Sequence, residues 1–220
     1  MRTTVQHGCP GEGQTVHQGK TEGQEMKHPS NRELFDYWNM RRGERLAPER
    51  ADIEPSAIRK ILGDTFVLER DGVSNPVFRL AGTRLCALFA RELKGESFGK
   101  LWERTGQIAM RELISVVLEE KVGVIASVSG ATSDDMLQPV NLEMLLLPLT
   151  SDQRSEARII GALAPMAAPY WLGAKAIGAL SLGMFRHLGP TVEAPQPPRL
   201  RAAPGRIKHG LTIYEGGRTP

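Results

Sequence analysis

The sequence predicts an α+β fold built on an antiparallel sheet, and three observations carry that prediction. Two strand-like runs flank an Asp71-Gly72 turn. A single long amphipathic helix follows, with Met110, Leu113, Ile114, Val117 and Leu118 at i, i+3, i+4, i+7, i+8. Three further strand patterns then succeed one another, joined by two stretches rich in turn formers.

The elements follow in order. Residues 1–28 hold Gly, Gln, His, Thr and Glu with few apolar side chains, too few to offset the entropy of ordering, and are expected to be disordered. Ser30 or Asn31 can cap a first helix that carries Leu34, Tyr37 and Trp38 on one side and ends near Gly43. LAPERADIEPSAIRKIL reads as a loop and a second short helix, with Pro55 suited to a first turn. Residues 65–83 form a hairpin: Phe66, Val67 and Leu68 on one strand, Val77, Phe78 and Leu80 on the other. Arg84–Leu93 is helical by composition, with Gly95 as a left-handed stop. GESFGKLW is a turn anchored by Phe98, Leu101 and Trp102. The long helix spans 105–121. Strands are expected at Val122–Ala131, Pro139–Thr150 and Ala157–Met166; in the second, Val140, Leu142, Met144 and Leu146 share a face opposite Asn141 and Glu143. Residues 171–189, apolar but broken by glycines at 173, 178, 183 and 189, read as a loosely packed docking segment. Residues 190–220 are a flexible, Pro- and Arg-rich tail, with one extended piece at Leu211–Tyr214.

Composition narrows the function classes. At 220 residues with 40% apolar and 24% charged side chains, the chain can build one well-packed domain. Its net charge of +3 resides in residues 189–220, so the body is neutral and shows no basic face for nucleic acid. The longest apolar run, around Met144–Leu149, is too short to span a bilayer, and the N-terminus has no secretory pattern. Two distant cysteines, Cys9 and Cys86, make neither a metal motif nor a disulfide framework, and the protein is expected to be cytoplasmic.

Chemical motifs are sparse. A phosphate-cradling loop needs G-x-x-x-x-G-K-[ST]; here Gly95 and Gly99 are one residue too close, and Leu101 stands where the hydroxyl belongs. The carboxylate pairs Asp134-Asp135 and Glu119-Glu120 fall in a turn and at a helix end, where both partners are solvated rather than tuned apart for acid–base work. Cys86 reads as a packing residue, with a redox thiol as the alternative. His7, His17 and His28 are irregularly spaced, and no metal site is expected. No catalytic residues are assigned, and the chain is not expected to be an enzyme.

FVLERDGVSNPVFRLAGTRLCALFARELKGESFGKLW resembles the opening of a PAS domain: apolar strand, D-G turn, second strand, short helix and a glycine turn entering the next helix. DIEPSAIRKILGDTFVLE, the run Arg79-Leu80-Ala81-Gly82-Thr83 and the closing LTIYEGG are similar to stand-alone PAS-like proteins common in alphaproteobacteria. The resemblance covers about residues 30–170. It implies a five-stranded antiparallel sheet with helices on one face, preceded by an N-terminal helical extension, in a domain at 29–170. It also implies sensing or interaction: small-ligand binding, or docking to a signalling protein or a second copy. The chain carries no output-domain motif, so signalling is expected to go by association. Ligandless dimerisation or scaffolding is the alternative.

A pocket between sheet and helices would be lined by Phe78, Leu80, Phe89, Phe98, Ile114, Val124, Met144 and Leu146. The family's haem form needs an axial histidine near the long helix, and residues 84–121 contain none. Its covalent flavin form needs a different sequence around the cysteine than RLCALFA. The cofactor is therefore unknown. Phe35, Tyr37, Trp38, Tyr170 and Trp171 are either core packing or an interface for a partner or second subunit.

Overall fold

The computed structural model describes residues 26–71, 75–132, 135–150, 156–188, 206–208 and 211–213. The chain divides into two units, 1–188 and 189–220. In the first, helix α1 (Pro29–Arg42) leads through two 3-10 turns, Arg50–Asp52 and Pro55–Ile58, to strands β1 (Thr65–Asp71) and β2 (Val77–Ala81). Helix α2 (Thr83–Leu88), a 3-10 turn at Phe98–Leu101 and helix α3 (Arg104–Glu120) follow. Strands β3 (Gly123–Thr132), β4 (Asp135–Leu149), β5 (Glu156–Pro165) and β6 (Ile177–Leu188) complete the unit. All six strands form one antiparallel sheet in the order β2-β1-β5-β4-β3-β6. In the second unit, β7 (Arg206–Lys208) and β8 (Leu211–Ile213) pair with each other, so the expected extended piece at 211–214 finds a partner strand. The remaining residues of the expected flexible tail lie outside the described residues.

The sheet has six strands rather than five because the glycine-rich segment after Trp171 is β6, hydrogen-bonded along β3. Its glycines let it lie close: a Cβ on Gly183 would stand 2.6 Å from the Ser127 hydroxyl. The register of β6 shifts twice against β3, and this erases the alternation that marks a strand in sequence. The N-terminal boundary also moves. Met26 is buried and His28 caps α1, accepting the Ser30 amide on Nδ1 at 3.2 Å with Pro29 in the first turn, so order begins before the expected Ser30 cap.

Both faces of the sheet carry a hydrophobic core, the outer one over part of its extent. On the inner face Phe66, Phe78, Val124, Met144, Leu146 and Leu163 pack with α2, the Phe98–Trp102 turn and the predicted stripe of α3. On the outer face Leu145, Leu147, Leu149 and Ile160 pack under Leu34, Tyr37 and Trp38 of α1 and under Ile53, Ile58 and Ile61. The predicted second helix is two separate 3-10 turns, and α2 stops at Leu88 rather than Leu93 because Ala90 turns the backbone to φ 49°. Gly95, at φ 83°, acts later, donating its amide to Phe78 O at 2.7 Å.

Gly82 fixes the crossing between the outer and inner layers. Its amide donates to Thr65 O at 2.8 Å, and Leu85 N donates to Gly63 O at 2.9 Å. A Cβ at position 82 would collide with the carbonyl oxygens of Leu62 and Gly63. Gly82→Ala is expected to lower stability by about 2–3 kcal/mol, read as a lower urea midpoint. An unchanged midpoint would mean that the two backbones do not meet there.

Candidate functional site

Seven of the eight residues predicted to line an inner pocket are buried together in the inner core: Phe78, Phe89, Phe98, Ile114, Val124, Met144 and Leu146. They pack against one another. Phe66, Phe78, Phe98 and Trp102 form a chain of ring contacts at 5.5–5.8 Å between centroids. Leu80 is the exception, 43% exposed and outside that cluster. The ladder shows why: β1–β2 pairs Val67 with Leu80 but Leu68 with Phe78, so a bulge at Arg79 reverses the alternation. Leu80 faces outward, where it lines a different cleft.

Of the predicted interface aromatics, Tyr37 and Trp38 are spent on the chain's own sheet. Trp38 Nε1 donates to Pro148 O at 2.9 Å, and the Tyr37 hydroxyl accepts the Glu54 amide at 2.8 Å. Phe35 stacks on Trp38 at 6.2 Å, and Trp171 packs against the inner core. Tyr170 alone stands free, at 96% exposure.

Sequence reasoning missed a pair of buried carboxylates that fasten α1. Glu143, on the outer face of β4, accepts the Lys27 amide at 2.9 Å, the His28 amide at 2.8 Å and the Asn31 side-chain amide at 3.0 Å. Asp64, just before β1, accepts the Ser30 hydroxyl at 2.6 Å and both Nε and Nη2 of Arg84 at 2.7 Å. Burial pushes the Asp64 carboxyl up, but the Arg84 guanidinium and Ser30 hydroxyl outweigh that and hold it below the usual carboxylate range. A cleft of about 380 Å³ opens beside them, bordered by His28, Ser30, Asp64, Arg84 and Met166. An isolated polar residue in an apolar strand, as Glu143 is, was the available signal.

The larger concavity lies on the outer face where α1 does not reach. It holds about 620 Å³ and is lined by Ile125, Asn141, Glu143, Met166, Met184 and Phe185, among others. Met184 is 87% exposed on the edge strand β6; its neighbour Phe185, 49% exposed, pairs with Ala126 of the inner face and closes the rim from the strand's other side.

The remaining candidates carry little chemistry. Burial, and then the Glu92 carboxylate, push the Cys86 thiol up, so it stays protonated and inert. Glu119 and Glu120 are exposed at the end of α3. His187 is exposed on β6 with its ring edge-on to Phe185 at 5.9 Å. Among the described residues no three metal-ligating side chains gather, and no helix is long and apolar enough to cross a membrane. Cys9, His7, His17 and Asp134 lie outside the described residues.

An antiparallel sheet with helices packed on its inner face, and an outer face left partly open, is consistent with the PAS fold, and PAS domains are in general sensory or interaction modules. The chain belongs to the PAS domain family, whose model matches residues 26–164, more than half of its length. The match takes in α1 and ends before β6. Among curated proteins none matches.

Removal of the Arg84 guanidinium tests the Asp64 fastening. A carboxyl with a depressed folded pKa stabilises the fold above its unfolded pKa, near 3.9, and loses that contribution as pH falls through the folded value. Arg84→Met is therefore expected to cost about 1–3 kcal/mol at pH 7, and the gap to wild type should narrow below pH 4. A gap independent of pH would show that Arg84 contributes packing alone.

Proposed function

We propose that this PAS domain is a cytoplasmic regulatory module that passes its state on by docking to a signalling protein or to a second copy of itself. The observation that carries this reading is the open part of the outer sheet face, where Met184 and Phe185 flank the 620 Å³ concavity. The neutral formal charge of residues 29–188 argues against nucleic acid as the occupant. Small-ligand sensing is the other half of the reading. A ligandless scaffold is the second reading, favoured by the close packing of the seven inner residues expected to wall a pocket.

Sedimentation velocity from about 1 to 500 µM, a range that covers weak transient association, tests self-docking. Association of the wild type that weakens at least tenfold in Met184→Glu is expected. The variant should fold, since the side chain is almost wholly exposed. If the wild type is monomeric throughout, and a photo-crosslinker at position 184 captures no defined partner in cells, the docking reading fails. Native mass spectrometry of protein from its own cells separates sensor from scaffold: a bound small molecule is expected of the first only.

A further inference from the structure

We propose that the cleft on the outer face of β1, β2 and β5 is a binding site for a small apolar monocarboxylate, such as a medium-chain fatty acid, with Arg50 as its counter-ion. The cleft holds about 270 Å³. Its walls are Ile53 and Ile58 from the 3-10 turns, Val67 from β1, Leu80 from β2 and Ile160 from β5. That volume lies just below the roughly 300–1,000 Å³ that drug-sized ligands occupy, so it suits a short chain.

The charge comes from one residue. Arg50 lines the cleft, half-buried, and among the described residues its guanidinium makes only a 3.4 Å contact to Ile53 O. Both neighbouring glutamates are engaged elsewhere: Glu54 with Arg41 at 2.8 Å and Glu49 with Arg45 at 3.9 Å. With no carboxylate on it among the described residues, the half-buried guanidinium keeps forked donors suited to a planar carboxylate. Its backbone is pinned independently, Arg50 N donating to Thr150 O at 3.2 Å, so the side chain is held at the cleft by the fold. Leu80, turned outward by the bulge at Arg79, stands as one wall of this site.

This site is distinct from the inner core, and it supplies the ligand half of the regulatory reading. Its failure leaves docking at Met184 standing, and the failure of docking leaves this site standing.

The test is titration of the full chain with octanoate and with octanol, followed by methyl NMR. Octanoate is expected to move the Ile53, Ile58 and Ile160 methyls and to leave Ile114 and Ile177 of the inner core in place. It should bind roughly tenfold or more tighter than octanol, as a charge-assisted pair would give. Arg50→Met should bring the two affinities together. Leu80→Glu, an exposed change that sets a competing carboxylate at the rim, should weaken octanoate far more than octanol. No shift at the three outer methyls at millimolar octanoate overturns the proposal. So do equal affinities for the two probes, an unchanged preference in both variants, or shifts at Ile114 and Ile177 instead.

Discussion

The structure depends on β4 being apolar on both faces. Leu142, Met144 and Leu146 project into the inner core, and Leu145, Leu147 and Leu149 project the other way. A strand exposed on one side would leave that second row in water, at about 25 cal/mol for each Å². Two covers are therefore obligatory. The inner one is α2, the Phe98–Trp102 turn and α3. The outer one is α1 with the turns at 50–58. Neither cover is a self-sufficient element: α1 is too short to be stable in water without its apolar contacts.

Hydrophobic burial alone would let the outer cover slide. The two buried carboxylates prevent this, because a charge without partners in that position is costly and each has only one geometry that satisfies it. Glu143 holds the amides that enter α1, and Asp64 holds Ser30 in its first turn. The anionic side chains also sit at the positive end of the helix. Asp64 reaches Arg84 at the start of α2 as well, so one carboxylate sets the outer and inner covers against each other. Beyond the reach of α1 the outer face is uncovered, and that is where Met184 stands exposed.

Much of this was legible in the sequence. The alternation of β4 and the stripe of α3 follow single periods through contiguous residues, the β1–β2 hairpin follows its turn signal, and each emerged within a few residues of its expected bounds. What failed was periodicity interrupted by backbone irregularity. The bulge at Arg79 turned Leu80 outward, and two register shifts disguised β6 as a loosely packed segment. Predicting a pocket from inward-facing residues meets a different limit. Periodicity identifies which side chains point inward and cannot tell a lined cavity from a filled one; here Phe66, Phe78, Phe98 and Trp102 meet ring to ring at 5.5–5.8 Å between centroids. The carboxylate fastenings escaped because their partners are backbone amides and residues up to 116 positions away.

The outer cover touches both open sites. The segment from Arg50 to Ile58 walls the 270 Å³ cleft, and it is tied to α1 by the Glu54 amide on Tyr37 and by the Arg41–Glu54 ion pair at 2.8 Å. At the other end of α1, Lys27 lines the 620 Å³ concavity and its amide rests on Glu143. One mechanically continuous element therefore runs from the cleft to the open sheet face. Continuity alone transmits nothing, since a ligand shifts an equilibrium only by its differential affinity for two arrangements. Any arrangement that released α1 would expose the Leu145–Leu147–Leu149 row and strand two buried carboxylates at once, so the fastened state is strongly favoured at rest. Binding energy at either open site would act on α1 only by its difference between fastened and released states.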